Sequence, residues 1–241
     1  MLFLLSTTSA VAQFISLPTD ARSCALGGCM VDNANRRYAT ISYRQGFALS
    51  AMSSKRINVG WNLGSIGWIS AGYDHFGDSD FAEQQLIAEC GMNVDESVTL
   101  SVEGRYCHLG TNDAYYDAEH WMAVAARATL KVNPRLSLSA LVGTKPWDDS
   151  HPWRMHLNAI CVLSSGLLAV AEIEREDLLR FRCGAEYSYR EHFFFRAGLA
   201  TRPVTLAFGV GLRYGNYSID IAAEAHNTLG ITPQISIMLC L

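Results

Sequence analysis

Twelve charged residues recur on the polar side of alternating segments: Glu103, Arg105, Arg127, Glu172, Glu174, Arg180, Arg182, Glu186, Arg196, Arg213, Asp220 and Glu224. Glu89, Arg154, His156, Asn158 and His226 share that parity. Mixed charge on one wall suits two kinds of chemistry. Opposite signs on neighbouring strands form ion pairs, which makes their burial tolerable. Alternatively, they line a path for a polar solute. Glu172 and Glu174 precede Arg180 and Arg182 by one short connection, so these four are expected as cross-strand partners. Catalysis is not expected, because no two carboxylates stand out as an acid–base pair and none of the seven histidines lies in a nucleophile motif. The glycine pattern Gly209-x-Gly211 falls inside a strand with no helix after it, so it is not a phosphate loop. No metal or other cofactor is expected either. The acidic connections Asp74–Asp80, Asp113–Glu119 and Trp147–Trp153 match no EF-hand spacing, and the cysteines match no zinc framework.

The elements that would hold these charges are strands. Leu179, Phe181, Cys183, Ala185 and Tyr187 oppose Arg180, Arg182, Gly184, Glu186 and Ser188. Leu206, Phe208, Val210, Leu212 and Tyr214 oppose Thr205, Ala207, Gly209, Gly211 and Arg213 in the same way. Period-two alternation puts the two sets on opposite faces of a strand. About fourteen such strands (12–14) are expected, near residues 39–50, 55–63, 66–75, 83–92, 97–108, 120–131, 135–144, 153–163, 166–175, 179–188, 193–200, 204–214, 216–226 and 231–241. Their connections alternate between tight turns and longer loops. An even strand number, strands of about ten residues, an apolar outside and a charged inside predict an all-β fold, an antiparallel transmembrane barrel. A soluble β-sandwich also alternates, but its strands are usually about five or six residues long. Two polar-side positions carry Ile160 and Trp68, so an inner apolar patch is expected toward the tight-turn ends.

The 241 residues carry a net charge of −4 and are 49% hydrophobic, which gives no basic footprint for nucleic acid. Residues 1–12, ending in Ala10-Val11-Ala12, read as the remnant of an export signal. Residues 13–37 read as an N-terminal periplasmic or plug segment, with a short helix near 19–26 capped in Thr19-Asp20 and stopped by Gly27-Gly28. Residues 38–241 read as the barrel. Seven cysteines cannot all pair. Cys90, Cys161 and Cys183 fall with the apolar set, and Cys24 and Cys29 are near enough for a local disulfide, although isolated thiols fit better.

The N-terminal segment carries a resemblance. Pro18-x-x-Ala21-Arg22-x-x-Ala25-Leu26-Gly27-Gly28 resembles the opening of mature PorV/PorQ-type outer-membrane proteins, of the FadL-like barrel group. Leu179–Tyr187, Phe194–Gly198, Tyr214–Ile221 and Ala225–Ile237 are similar to the family's closing strands. Where the family has Asn-Pro-Ala-Gly, this chain has Tyr43-Arg44-Gln45-Gly46. The resemblance implies a bacterial outer-membrane barrel whose N-terminal segment packs in or under the lumen, in contact with outer-membrane lipid. It also implies a non-enzymatic role, docking proteins of a secretion or surface complex; the alternative is a FadL-like channel taking up small hydrophobic molecules.

Overall fold

The computed structural model describes residues 19–31, 37–111, 117–145, 153–176 and 178–241. Fourteen strands form the wall: β1 Tyr38–Gln45, β2 Ser53–Asn62, β3 Gly67–Gly77, β4 Phe81–Asn93, β5 Val98–Thr111, β6 Glu119–Asn133 and β7 Leu136–Thr144. They continue with β8 Trp153–Ser164, β9 Leu167–Arg175, β10 Leu179–Tyr189, β11 Phe193–Ala200, β12 Thr205–Tyr214, β13 Tyr217–His226 and β14 Gly230–Cys240. Each strand pairs antiparallel with its neighbours in sequence, and β1 closes on β14 through Tyr38↔Cys240 to Arg44↔Gln234. Closure leaves no strand edge, so the backbone of the wall satisfies its own hydrogen bonds without water.

The alternation read from the sequence becomes an outside and an inside. Along β12, Leu206, Phe208, Val210 and Leu212 are exposed on the outer face, while Thr205, Ala207 and Gly211 are buried. In a soluble protein such a band of exposed aliphatic and aromatic side chains would be untenable. Facing acyl chains, it is what holds a barrel in a bilayer. Outward aromatics gather at both ends of the wall: Trp61, Tyr187, Tyr214 and Tyr217 toward the tight turns, and Tyr73, Tyr106 and Trp153 toward the loops. These are the levels at which amphipathic rings meet lipid headgroups. A closed fourteen-stranded barrel with this exterior is a bacterial outer-membrane barrel.

One strand departs from the sequence reading. The first was expected to run to residue 50, but β1 stops at Gln45 and two 3-10 turns follow, Gly46–Ala48 and Ser50–Met52. Phe47 and Ala48 take φ of 51° and 58°, which a strand cannot continue through. The Phe47 amide instead finds Thr232 Oγ1 at 2.9 Å on β14. All seven cysteines are unpaired thiols, and Cys90 and Cys183 face outward. The expected export signal (residues 1–12) and most of the acidic loops at 113–119 and 147–153 lie outside the described residues.

Candidate functional site

The lumen is where the charged residues converge, and an N-terminal segment lies inside it. A short helix, α1 Ala21–Ala25, begins at Asp20, whose carboxylate accepts hydrogen bonds from the Ser23 amide and hydroxyl, both at 2.7 Å. This is an N-cap that satisfies one of the orphan donors of the first turn. A five-residue helix is too short to hold itself together in isolation, so its place is set by the wall.

That wall is unusually small on one side. Gly184, Gly198, Ala207, Gly209 and Ala222 are inward positions on β10–β13. A Cβ at Gly184 would stand 2.7 Å from Leu26 Cα, and one at Gly209 would stand 2.5 Å from Ala25 Cβ. At Gly198 a Cβ would collide with the backbone of Gly27. Gly27 itself has φ +74°, and a side chain there would meet the Leu199 carbonyl at 2.7 Å. Backbone of segment and backbone of wall therefore touch, a closeness only glycine permits. Leu26 and Cys29 are fully buried against Val170, with Ile160 and Val31 at the edge of the same cluster. The inner apolar patch around Ile160 thus packs against the segment. Burial pushes the Cys24 thiol up to about 12 and the Cys29 thiol higher still, so both are inert as nucleophiles near neutrality.

Charge then latches the segment. Arg22 donates from Nε and an Nη to the two oxygens of Glu186, both at 2.8 Å, in the fork geometry that makes arginine–carboxylate pairs specific. Arg196 donates to Glu186 at 2.6 Å and to Asp220 at 2.6 Å, so the chain Arg22–Glu186–Arg196–Asp220 ties helix, β10, β11 and β13. Farther along, the Met30 amide donates to Glu172 at 2.9 Å, Asn158 donates to the Met30 carbonyl at 3.2 Å, and Arg182 donates to the Gly28 carbonyl at 3.2 Å. On the other side of the segment, a cavity of about 170 Å³ remains against β2–β8. Its wall carries Glu103 between Arg105 (2.9 Å) and Arg154 (2.8 Å), with Arg127 3.8 Å from Glu89. Arg56 pairs with Asp74 on β2 and β3.

The molecule is similar in fold to two solved barrels. The Acinetobacter baumannii outer membrane protein Omp33 aligns over 86% of this chain and 99% of its own, with TM-score 0.61 and 6% identity. A Pseudomonas aeruginosa FadL homologue aligns over 92% of this chain and 98% of its own, with TM-score 0.64 and 9% identity. The shared property is the barrel. No protein-family model and no curated protein matches the sequence.

Of the twelve charged residues singled out from the sequence, the lumen collects most into three groups. Glu103, Arg105 and Arg127 face the cavity; Glu186, Arg196 and Asp220 hold the helix; Glu172, Glu174 and Arg182 hold the residues after it. Glu224 pairs with Arg44 at 2.7 Å. The four expected partners on β9 and β10 divide differently from their register. Arg180 stands opposite Glu174 and Arg182 opposite Glu172, yet Arg182 reaches both acids while Arg180 Nε turns to the Arg202 carbonyl at 2.9 Å. The reason is position: Arg180 lies at the mouth, where a loop carbonyl competes for it. Arg213 lays its guanidinium 4.8 Å over the Phe194 ring. Arg22, Arg44, Arg56 and Asp74 were not among the twelve, and Asp74, expected at the start of an acidic loop, instead lies in β3 and pairs inside the barrel with Arg56. Arg22 had a signal, since it follows a helix cap, but nothing in its spacing tells which wall residue it meets.

Proposed function

We propose that this barrel is a plugged, non-enzymatic docking or scaffold component of the PorV/PorQ type, serving protein secretion or a surface complex. One observation carries the reading: the residues that bear the sequence resemblance are those that seat the segment in the lumen. Ala25, Leu26 and Gly27 lie against Gly209, Gly184 and Gly198, and Arg22 grips Glu186. A motif spent on filling a barrel favours a closed body whose work is done at its surfaces and loops. The inner wall supports this, because its charges are largely matched to one another rather than left facing a water column.

The FadL-like reading, uptake of small hydrophobic molecules, is favoured by the likeness to the FadL homologue. It calls for an apolar lumen and a sideways exit. Here the apolar lining at Val170 and Ile160 is covered by Leu26 and Cys29, and every strand is paired on both sides.

The test is conductance across planar bilayers, paired with purification from mildly solubilised outer membranes. The expected outcome is a silent barrel that co-purifies with an outer-membrane or periplasmic protein in fixed proportion. Stable conductance, or faster uptake of a labelled fatty acid by cells making the barrel, would replace docking with transport.

A further inference from the structure

The loop end of β8 and β9 holds a constellation of which the latch uses only Glu174. His156 and Glu174 face each other across the two strands, and Glu176 follows just past the end of β9. One ligand atom from each lies within 4.8 Å of the other two. His156 is 4% exposed and Glu174 is fully buried, so neither is a solvated surface group. The imidazole is held at one nitrogen: His156 Nδ1 stands 3.3 Å from Glu172 Oε1, the geometry of a donated N–H. This places the lone pair on Nε2. That atom is buried, accepts and donates no hydrogen bond, and lies 3.9 Å from a Glu176 oxygen. Glu174 pairs with Arg182 through Oε2, and its Oε1 accepts no hydrogen bond.

We propose that His156, Glu174 and Glu176 bind one divalent first-row transition cation at the loop end of the lumen. A buried imidazole whose far nitrogen is fixed by a carboxylate is the arrangement that orients histidine toward a metal and raises its basicity. One imidazole nitrogen with two carboxylates is a donor set for zinc or manganese rather than for calcium or magnesium. Bound zinc would draw ligands to about 2.0–2.2 Å from itself. Because Glu172 also receives the Met30 amide, an occupied site would stiffen the end of the latched segment.

The experiment uses the untagged full barrel in detergent micelles, stripped with chelator and titrated with Zn²⁺ by calorimetry. His108 and His120 form a second imidazole pair, stacked with their Nδ1 atoms 3.2 Å apart. The measurement is therefore made in an H108A/H120A background. One Zn²⁺ per barrel is expected. Adding H156A should weaken binding at least ~100-fold, and E172Q, acting through the imidazole, about 10–100-fold. A heat-dependent gel shift checks that each variant is folded. Should H156A fail to fold, E176Q replaces it: that side chain is 19% exposed, so the change spares the buried wall, and it should weaken Zn²⁺ binding. No stoichiometric uptake, or uptake indifferent to the folded variant, would overturn the site.

Discussion

The two sides of the lumen are built on different principles. On β10–β13, small residues bring the wall backbone against the segment, and the chain Arg22–Glu186–Arg196–Asp220 crosses from helix to wall with every link at 2.6–2.8 Å. On β2–β8 the wall keeps long side chains, the ion pairs stay within the wall (Arg105–Glu103 along β5, Arg154–Glu103 from β8 to β5) rather than reaching the segment, and a cavity stands in front of them. Both sides carry similar numbers of charges, yet only one uses them to hold something. The lesson is that lumen charge alone does not say whether a barrel wall is a channel lining or a seat; the side-chain volume beside each charge does.

The largest effect should come from filling the seat. Gly198→Val puts a branched side chain where the Gly27 backbone lies, and backbone has no rotamer by which to yield. We expect the segment to leave the wall. In the native barrel at pH 8 the Cys24 thiol, fully buried and pushed up to about 12, should resist alkylation. In the variant, peptide mapping after iodoacetamide treatment should find Cys24 modified. A Cys24 that stays protected would mean the seat can deform, and the contrast between the two sides would lose its steric half.

Next in size is Glu186→Ala. It strands Arg22 and Arg196, whose side chains are 19% and 3% exposed, by removing the carboxylate both share. Breaking a buried pair from one side costs about 3–5 kcal/mol, because the remaining charge keeps its desolvation penalty. Arg196 retains Asp220, which places the expectation at the lower end. Urea unfolding from lipid vesicles, followed by tryptophan fluorescence, reads it. The double change R22A/E186A should recover part of the loss, since it removes charge from both sides; no recovery would mean that Glu186 serves Arg196 alone.

How much of this contrast the sequence discloses depends on the residue. The outer face was legible because the lipid demands one property, apolarity, at every second residue, and Leu206, Phe208, Val210 and Leu212 repeat it without a break. Strand number followed from the turns. The seat was not legible as such: Gly184, Gly198 and Gly209 read as neutral gaps in a polar face, and only their registers, Gly184↔Gly198 and Arg196↔Gly209, put them side by side. The ion pairs were legible as a set but not as a pairing. Long guanidinium stems reach diagonally as well as directly across, so Arg182 takes both Glu172 and Glu174. Arg22 lay beyond reach because its partner is 164 residues away, and no period connects a plug to its wall.

The smallest effect is expected on the cavity side, and it sharpens the comparison most. Arg127 stands 3.8 Å from Glu89, too far for a hydrogen bond, and its other contact is the weak acceptor Met30 Sδ at 3.8 Å. Glu89 meanwhile accepts from the Ser101 hydroxyl at 2.8 Å, so it keeps a partner when the guanidinium goes. Both side chains face the cavity, and no hydrogen bond joins them. Arg127→Gln should therefore cost about 1 kcal/mol, the upper range of a loose ion pair, against several for Glu186→Ala in the same vesicle assay. A loss as large as that of Glu186→Ala would show that this wall is also bound to the segment, through Met30, and that the lumen is gripped from both sides rather than seated on one.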